Sequence, residues 1–236
     1  MIKLVNSVKF IYKGILEIDE ETNIQVLDYF KNSQKKTNLL HENKMLIVSN
    51  FNSNNGNYEI ELKENNFSYW FYAKETKNAD VRSLFSASYI LTSDGYVVCE
   101  LNNYYENTIS FVTVNLVGGI ADSKDVVNGE YLSEKCLKRE FKEELGFDLN
   151  EENFKLKLKY LKYPANNENP INYNIGIIYE IKTLYTKDQI QKMFKNSLHD
   201  NEVKELVFFS KEDYKKIYDY KYKKEYIPEL FELVFN

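Results

Sequence analysis

Three glutamates stand close together in the second half of the sequence, at a spacing that suits one face of an α-helix. Glu140, Glu143 and Glu144 follow one another at i, i+3 and i+4, and residues at these separations are neighbours on a helix surface. Three carboxylates crowded around one point repel one another, which raises their pKa values unless cations lie among them. Mg²⁺ and Mn²⁺ prefer oxygen ligands of this kind. The spacing therefore predicts a divalent-cation site on a helix.

A helix over Ser133–Leu145 is predicted to carry these carboxylates. Leu137, Phe141 and Leu145 recur at helical spacing and form one apolar stripe, with the glutamates on the arc directly beside it. Gly146 is a suitable residue to end the helix. On an arbitrary helix such an acidic arc is more often a solvated face paired with lysines, so the spacing alone leaves that alternative open.

The residues around the glutamates favour the metal site. Residues 139–147 read Arg-Glu-Phe-Lys-Glu-Glu-Leu-Gly-Phe. This segment resembles the core of the Nudix box, Arg-Glu-apolar-any-Glu-Glu-any-Gly-apolar, at every specified position. From composition alone, a match somewhere in this chain has a chance on the order of 10⁻⁵. The resemblance spans residues 84–210 and implies an α+β chain with the Nudix fold, a mixed β-sheet sandwiched between α-helices.

Upstream of the helix the resemblance continues with a different spacing. Gly118-Gly119 closes a predicted strand and Gly129-Glu130 precedes the helix, as in the family. Ten residues separate Gly119 from Glu130 where the family has five, and eight separate Glu130 from Arg139 where the family has seven. We interpret these differences as insertions in the loop before the helix, which loops accommodate at small entropic cost. Whether Glu130 is positioned for function is left open.

The resemblance also implies roles for individual residues. Glu140, Glu143 and Glu144 would bind the metal ions, Mg²⁺ or Mn²⁺. Gly119 would offer its backbone carbonyl to the metal. Arg139 would hold the glutamates in place through charge-assisted hydrogen bonds, as a member of the catalytic set.

A carboxylate must also accept the proton of the attacking water, and either a helix glutamate or a loop carboxylate could do so. The family often supplies an extra carboxylate just before a late strand, where this sequence has Glu202 and Glu205. Acids that flank turns are more often only solvated, so both interpretations stand for these two residues.

Family members cut nucleoside diphosphates linked to another group, so the resemblance implies a pyrophosphohydrolase with a small nucleotide substrate, such as a nucleotide sugar. The motif does not select the leaving group. One alternative is a non-catalytic Nudix-fold sensor that binds a nucleotide and regulates a partner; the lengthened loop favours it and the complete glutamate set opposes it. An RNA-decapping enzyme is a further alternative. The oligomeric state is open, a homodimer included.

Composition restricts the partners of the chain. The 36 acidic and 31 basic residues give a formal net charge of −5, and no basic stripe that would neutralise many phosphates is present, so nucleic acid is not an expected partner. Two cysteines among 236 residues suit a reducing compartment. No apolar run approaches the ~18 residues of a membrane span, and the start lacks a signal-peptide pattern. We therefore expect a cytoplasmic protein.

Two units are predicted along the chain. Residues 1–80 hold short apolar or alternating runs between Asn, Gly and Asp clusters, which predicts a small β-rich N-terminal unit. Residues 81–236 would form the Nudix domain. Its predicted elements are a hairpin over 84–100 turning at 92–95, strands over 109–117, 154–163, 174–181 and 203–209, a helix over 187–195, and a mostly helical segment from 211 onward.

Trp70, Phe71 and Tyr72 form an aromatic run in the N-terminal unit. One hypothesis is that they wall the substrate pocket and stack on a base or sugar. The alternative, in keeping with the usual role of aromatic side chains, is that they pack the interface between the units. His41 and His199 lie at no metal-ligand spacing and receive no role.

Overall fold

The computed structural model of the chain describes residues 1–35, 42–76, 81–106, 109–149, 152–163, 174–199 and 202–236. The strands in these ranges are β1 (Ile2–Leu4), β2 (Ser7–Ile15), β3 (Lys44–Asn54), β4 (Asn57–Asn66), β5 (Arg82–Leu91), β6 (Val97–Glu106), β7 (Ile109–Asn115), β8 (Val117–Ile120), β9 (Val126–Val127), β10 (Glu130–Tyr131), β11 (Phe154–Lys162), β12 (Ile175–Thr183) and β13 (Val203–Phe209). The helices are α1 (Glu20–Gln34), α2 (Phe67–Thr76), α3 (Ser133–Leu145), α4 (Lys187–Asn196) and α5 (Ile227–Phe235), with 3₁₀ turns at Ser123–Asp125 and Tyr214–Asp219.

β5 is the central strand of a large mixed sheet. Along one edge it pairs in parallel with β12, over residues 84–91. Along the other edge it pairs in turn with three antiparallel strands: β3 at residues 82–83, β8 at 85–88 and β6 at 90–91. β5 and β6 thus form the predicted hairpin but share only two register positions, Ile90↔Val98 and Leu91↔Val97. Beyond them the two strands take different partners.

Helices cover both faces of this sheet, so the predicted α+β sandwich is confirmed. Alternation along β12 sends Ile177 to the face that packs against α3 and α4, and Ile178 to the face that packs against α5. On the first face Leu137 and Phe141 of α3 are fully buried, and on the second Phe231 of α5 is fully buried. Burial of these apolar stripes from both sides is the main source of stability of such a layered fold.

The segment predicted as one strand over residues 109–117 is two strands. β7 pairs with β6, where Asn115 lies opposite Glu100, whereas β8 pairs with β5, where Gly119 lies opposite Ser86. Leu116, between them, is fully buried and belongs to neither strand. The prediction of one strand was wrong because Leu116 and Val117 follow β7 without an intervening Gly or Pro, and the division is made by the change of strand partner. This change of partner carries the chain from β6 to β5 and presents Gly118 and Gly119 to α3.

The N-terminal region contains α1 and α2 in addition to its strands, and these helices were not predicted. The aromatic residues of α2 suit strands as well as helices, and here they pack on α1, as in the ring contact between Phe30 and Phe71. The run from Ile2 is divided into β1, which pairs with β11, and β2, which pairs with β4. Pairing of β1 with β11 and of β3 with β5 joins this region to the main sheet. The boundary predicted at residue 80 lies outside the described residues and stays a prediction.

The C-terminal segment is only partly helical, because bends and a turn over residues 220–226 separate the 3₁₀ turn at Tyr214–Asp219 from α5. Among the helices that the structure describes, none combines the length and apolar character needed to cross a bilayer.

Candidate active site

The helix that carries the glutamates has the predicted bounds, Ser133–Leu145, and its end is stabilised locally. Gly146 adopts the left-handed conformation at φ 74° and its N–H donates to the Lys142 carbonyl. A side chain at this position would also collide with Ser197, whose hydroxyl donates to the Leu145 carbonyl at 2.7 Å. Glycine is therefore required here for conformation and for space.

The glutamates range from buried to exposed across the arc beside the apolar stripe. Glu144 is only 4% exposed, Glu140 is mostly buried, and the Glu143 side chain is 51% exposed. This gradient follows from helix geometry, since Leu137, Phe141 and Leu145 turn the Glu144 side of the arc toward the sheet.

Glu144 is held against the start of β8. One of its carboxylate oxygens accepts a hydrogen bond from the Gly118 N–H at 2.7 Å. Burial, followed by the charges of Glu100 and Glu140, raises the pKa of Glu144 well above its usual range. Gly118 has φ 145°, and a side chain there would overlap the backbone of the adjacent β5. The close approach of β8 to β5 thus places this N–H in reach of the carboxylate.

Glu140 lies over Gly119. A Cβ on Gly119 would occupy the space of the Glu140 carboxylate, so the absence of a side chain allows the carboxylate to rest on the backbone of β8. Burial raises the pKa of Glu140 to about 7, although the Arg139 guanidinium opposes the shift. The Gly119 carbonyl faces the same helix, where it lies 3.7 Å from the Cys136 Sγ.

Arg139 joins two of the glutamates. Its Nη1 donates to Glu140 at 2.6 Å and to Glu143 at 3.2 Å. With the Arg139 side chain only 22% exposed, these bonds fix the orientation of both carboxylates.

Asp125 holds Arg139 from the other side, and sequence reasoning missed it. Its buried carboxylate accepts from Nη2 at 3.0 Å and from Nε at 3.4 Å, which is the bidentate geometry that suits a guanidinium. Asp125 is itself fixed by the 3₁₀ turn, in which it accepts from the Asp122 N–H. A signal was available: five residues separate Gly119 from Asp125, the spacing at which the family has its glutamate.

Glu130, considered for that position, lies elsewhere. It is exposed on β10, which pairs with β9 to form a small hairpin over residues 126–131. The extra residues before α3 thus form this hairpin, which follows Asp125. Tyr131 anchors the hairpin, because it is buried and its hydroxyl lies 3.0 Å from the Ser86 Oγ.

Glu100 is a second residue that sequence reasoning did not assign to the site. It is fully buried on β6, and its charge is the strongest of those that raise the pKa of Glu144. Val98, two residues earlier, packs in the cluster under α3, so strand alternation turns Glu100 to the same side. The signal was a charged residue at an inward position of a predicted strand.

The two late carboxylates are separated by the sheet. Glu202 precedes β13 and its charge raises the pKa of both Glu140 and Glu144, which places it within electrostatic reach of the site. Glu205 acts instead on Tyr220, a residue that packs on the α5 face and whose pKa is raised first by burial and then by the Glu205 charge. An electrostatic interaction thus links Glu202 to the helix carboxylates, whereas Glu205 lies opposite Leu101, which packs on the α5 face.

The chemistry of the donors fits a hard divalent cation. Every candidate ligand at the site is an oxygen, from the carboxylates of α3, Glu100 and the Gly119 carbonyl, and hard cations select oxygen. In the arrangement seen here, no three His, Cys, Asp or Glu residues of the described ranges are grouped to ligate one ion. Arg139 engages Glu140 and Glu143 in this arrangement, so these side chains would have to reorient toward a metal.

The aromatic run of α2 faces two ways. Phe71 packs on α1, and the Tyr72 hydroxyl donates to Gln25 of α1 at 3.0 Å. Trp70 packs in the small cluster that includes Ile120, the neighbour of Gly119. Two of the three aromatic residues thus serve packing within the N-terminal region, while Trp70 stands beside the strand that borders the site.

A cavity of about 300 Å³ lies along another face of α3, and its lining includes neither the three glutamates nor Arg139 and Asp125. It is lined by Glu134, Lys138, Leu149, Phe154, Lys155 and Leu156.

Solved structures of Nudix proteins are similar to this chain. A Nudix family hydrolase from Clostridium perfringens is 18% identical with a TM-score of 0.41, over 65% of this chain and 96% of that one. A Nudix hydrolase from Nitrosomonas europaea is 12% identical with a TM-score of 0.44, over 64% and 86%. The Nudix domain of Shewanella oneidensis NrtR, solved with ADP ribose, is 10% identical with a TM-score of 0.42, over 68% and 94%. No protein-family model and no curated protein sequence matches the chain.

These similarities concern the fold, and the family in their names is the one that residues 139–147 resemble. The chemistry has to follow from the site residues themselves.

Proposed function

We propose that the chain is a cytoplasmic Nudix-type pyrophosphohydrolase that uses Mg²⁺ or Mn²⁺ to cleave the diphosphate linkage of a nucleoside diphosphate joined to another group. The observation that carries the proposal is the burial of Glu144 with two further carboxylates, the buried Glu100 and the mostly buried Glu140, whose charges both act on it. Buried carboxylates are costly unless cations or protons compensate them. A site that receives a divalent cation with its substrate supplies this compensation.

Glu140, Glu143, Glu144 and the Gly119 carbonyl would hold the cation, which when bound supplies neutralisation of the diphosphate oxygens and activation of water. The Gly118 N–H fixes one oxygen of Glu144.

The remaining side chains would orient the carboxylates and accept the proton of the attacking water. Arg139 orients Glu140 and Glu143, and Asp125 fixes the guanidinium through two hydrogen bonds. Glu202, exposed before β13, would accept the proton of the attacking water and release it to solvent.

A nucleotide sensor without hydrolytic activity is the second candidate. The observation that favours it is the engagement of Glu140 and Glu143 by Arg139, because the guanidinium occupies carboxylate oxygens that a metal ion would need. A small-molecule nucleotide would be the ligand in either case.

The two candidates are separated by turnover of a panel of nucleotide sugars, dinucleoside polyphosphates and nucleoside triphosphates with Mg²⁺ or Mn²⁺. We compare the native chain with Glu143→Gln and with Glu134→Gln, a matched control that removes an exposed carboxylate from the first turn of the same helix. The hydrolase predicts that Glu143→Gln loses turnover and Glu134→Gln keeps it. Nucleotide binding without turnover by the native chain would favour the sensor. Equal turnover by Glu143→Gln and Glu134→Gln would show that Glu143 is not needed for hydrolysis.

A further inference from the structure

Asn102 on β6 is buried with its amide unsatisfied. The residue is 3% exposed, and neither Oδ1 nor Nδ2 forms a hydrogen bond within the described part of the structure. Folded proteins rarely leave both ends of a buried amide unpaired, since the desolvated groups destabilise the native state. Asn65, also buried at 7% exposure, is by contrast bonded at both ends, to the Leu16 carbonyl and the Asn66 N–H.

The Asn102 side chain faces the carboxylate site. Alternation along β6 places Val98 in the cluster under α3 and Cys99 in the cluster under α5, so Glu100 and Asn102 share the α3 side. The neighbour of Asn102 on β13 agrees with this, because Val203 lies opposite it and also packs in the α3 cluster.

The position along the strand gives the distance from the carboxylates. Two residues of a β-strand span about 6.6–6.8 Å, so the Cα atoms of Glu100 and Asn102 lie about that far apart along β6. Asn102 and Val203 form the first pair of the β6–β13 ladder, and Glu202, which precedes it, is exposed. The Asn102 amide is thus near the solvent end of the ladder. It lies farther along β6 than Glu100, on the side where the group attached to a bound diphosphate would extend.

The chemistry of an amide restricts the group that could satisfy it. A phosphate offers only acceptors, which would leave Oδ1 unpaired and oppose its partial negative charge. An edge with a donor and an acceptor side by side satisfies both ends at once, and nucleobases present such edges to asparagine. We propose that Asn102 is a substrate-recognition residue whose amide pairs with the base edge of the nucleotide, an assignment that rests on the proposed function.

Binding measurements on the full chain test this assignment without requiring turnover. Calorimetry with Mg²⁺ gives the Kd of ADP, GDP, CDP, UDP and inorganic pyrophosphate, and the ratio of the pyrophosphate Kd to the lowest nucleotide Kd measures recognition of the nucleoside. In Asn102→Leu, which has similar size and no polar atoms, this ratio is expected to fall about 10- to 100-fold while the Kd of pyrophosphate is unchanged. The free variant should melt no lower than the native chain, because no hydrogen bond is lost.

Asn65→Leu is the matched control. It removes a buried asparagine that is bonded at both ends, so it should lower the melting temperature and leave the Kd ratio unchanged. Should Asn102→Leu fail to fold, Asn102→Ser provides the same comparison of Kd values with a smaller polar side chain.

Three results would overturn the assignment. An unchanged ratio with a lowered melting temperature would show that Asn102 is a structural residue bonded through buried water. A native ratio near one would show that the nucleoside is not recognised. If 2′-deoxy-ADP is titrated as well, loss in Asn102→Leu of a preference for ADP over 2′-deoxy-ADP, with base preference intact, would assign the amide to the sugar. If the Kd ratio falls in Asn102→Leu but the native chain hydrolyses none of the nucleotides, the role of Asn102 in nucleotide recognition would be supported and the proposed hydrolase activity refuted.

Discussion

Removal of the Asp125 carboxylate should destabilise the protein and disturb its site at the same time. In Asp125→Ala the buried guanidinium of Arg139 loses two hydrogen bonds, at 3.0 and 3.4 Å. Breaking a buried ion pair by removing one partner costs roughly 3–5 kcal/mol. Arg139 is 22% exposed and keeps its bonds to Glu140 and Glu143, so we expect the lower end, about 3 kcal/mol.

Urea denaturation measures this loss as a fall in the free energy of unfolding, and for a chain of 236 residues it corresponds to a melting temperature lower by roughly 6–12 °C. Turnover should fall as well, because Arg139 orients two carboxylates. The matched control is Asp148→Ala, which removes an exposed partner of Lys142 and should cost at most about 1 kcal/mol.

A double-mutant cycle with Arg139→Met tests the reasoning directly. If the pair is responsible, the combined cost of the two substitutions should be clearly smaller than the sum of the single costs. A change below about 0.5 kcal/mol in Asp125→Ala, or additive costs in the cycle, would refute the role given to Asp125.

Three further outcomes are expected. Gly119→Ala places a methyl group in the space of the Glu140 carboxylate; it should leave the fold intact by circular dichroism and lower kcat about 100-fold, as displacement of a catalytic group does. Phe141→Ala empties a fully buried position and should lower the free energy of unfolding by about 3–5 kcal/mol in urea titrations. Removal of divalent cations with a chelator should abolish turnover without unfolding the chain, and adding Mg²⁺ back should raise the melting temperature of the native chain more than that of Glu143→Gln.

Much of the helix that carries the glutamates could be predicted from local sequence. The apolar period, the terminal Gly146 and the i, i+3, i+4 carboxylates all lie within residues 133–146, and their consequences need only helix geometry. The Asn and Gly clusters predicted to separate the runs of residues 1–80 include Asn55-Gly56, where both residues adopt positive φ in the turn between β3 and β4.

The rest of the site depended on contacts between residues far apart in sequence. The partner of Arg139 is Asp125 and not Glu130, because the 3₁₀ turn points one carboxylate inward and the hairpin over 126–131 carries the other into solvent. The neighbour of Glu144 is Glu100 because β6 runs beneath α3.

Local sequence determined which residues carry charge and which face of the helix is apolar. Only the tertiary structure decided which charges meet. The physical reason is that strand pairing is decided by burial of whole sheet faces: the chain pairs with β6 through β7 and then with β5 through β8, with only Leu116 between the two strands. No local preference of those residues records that exchange, yet it brings Gly118 and Gly119 to the glutamates of α3.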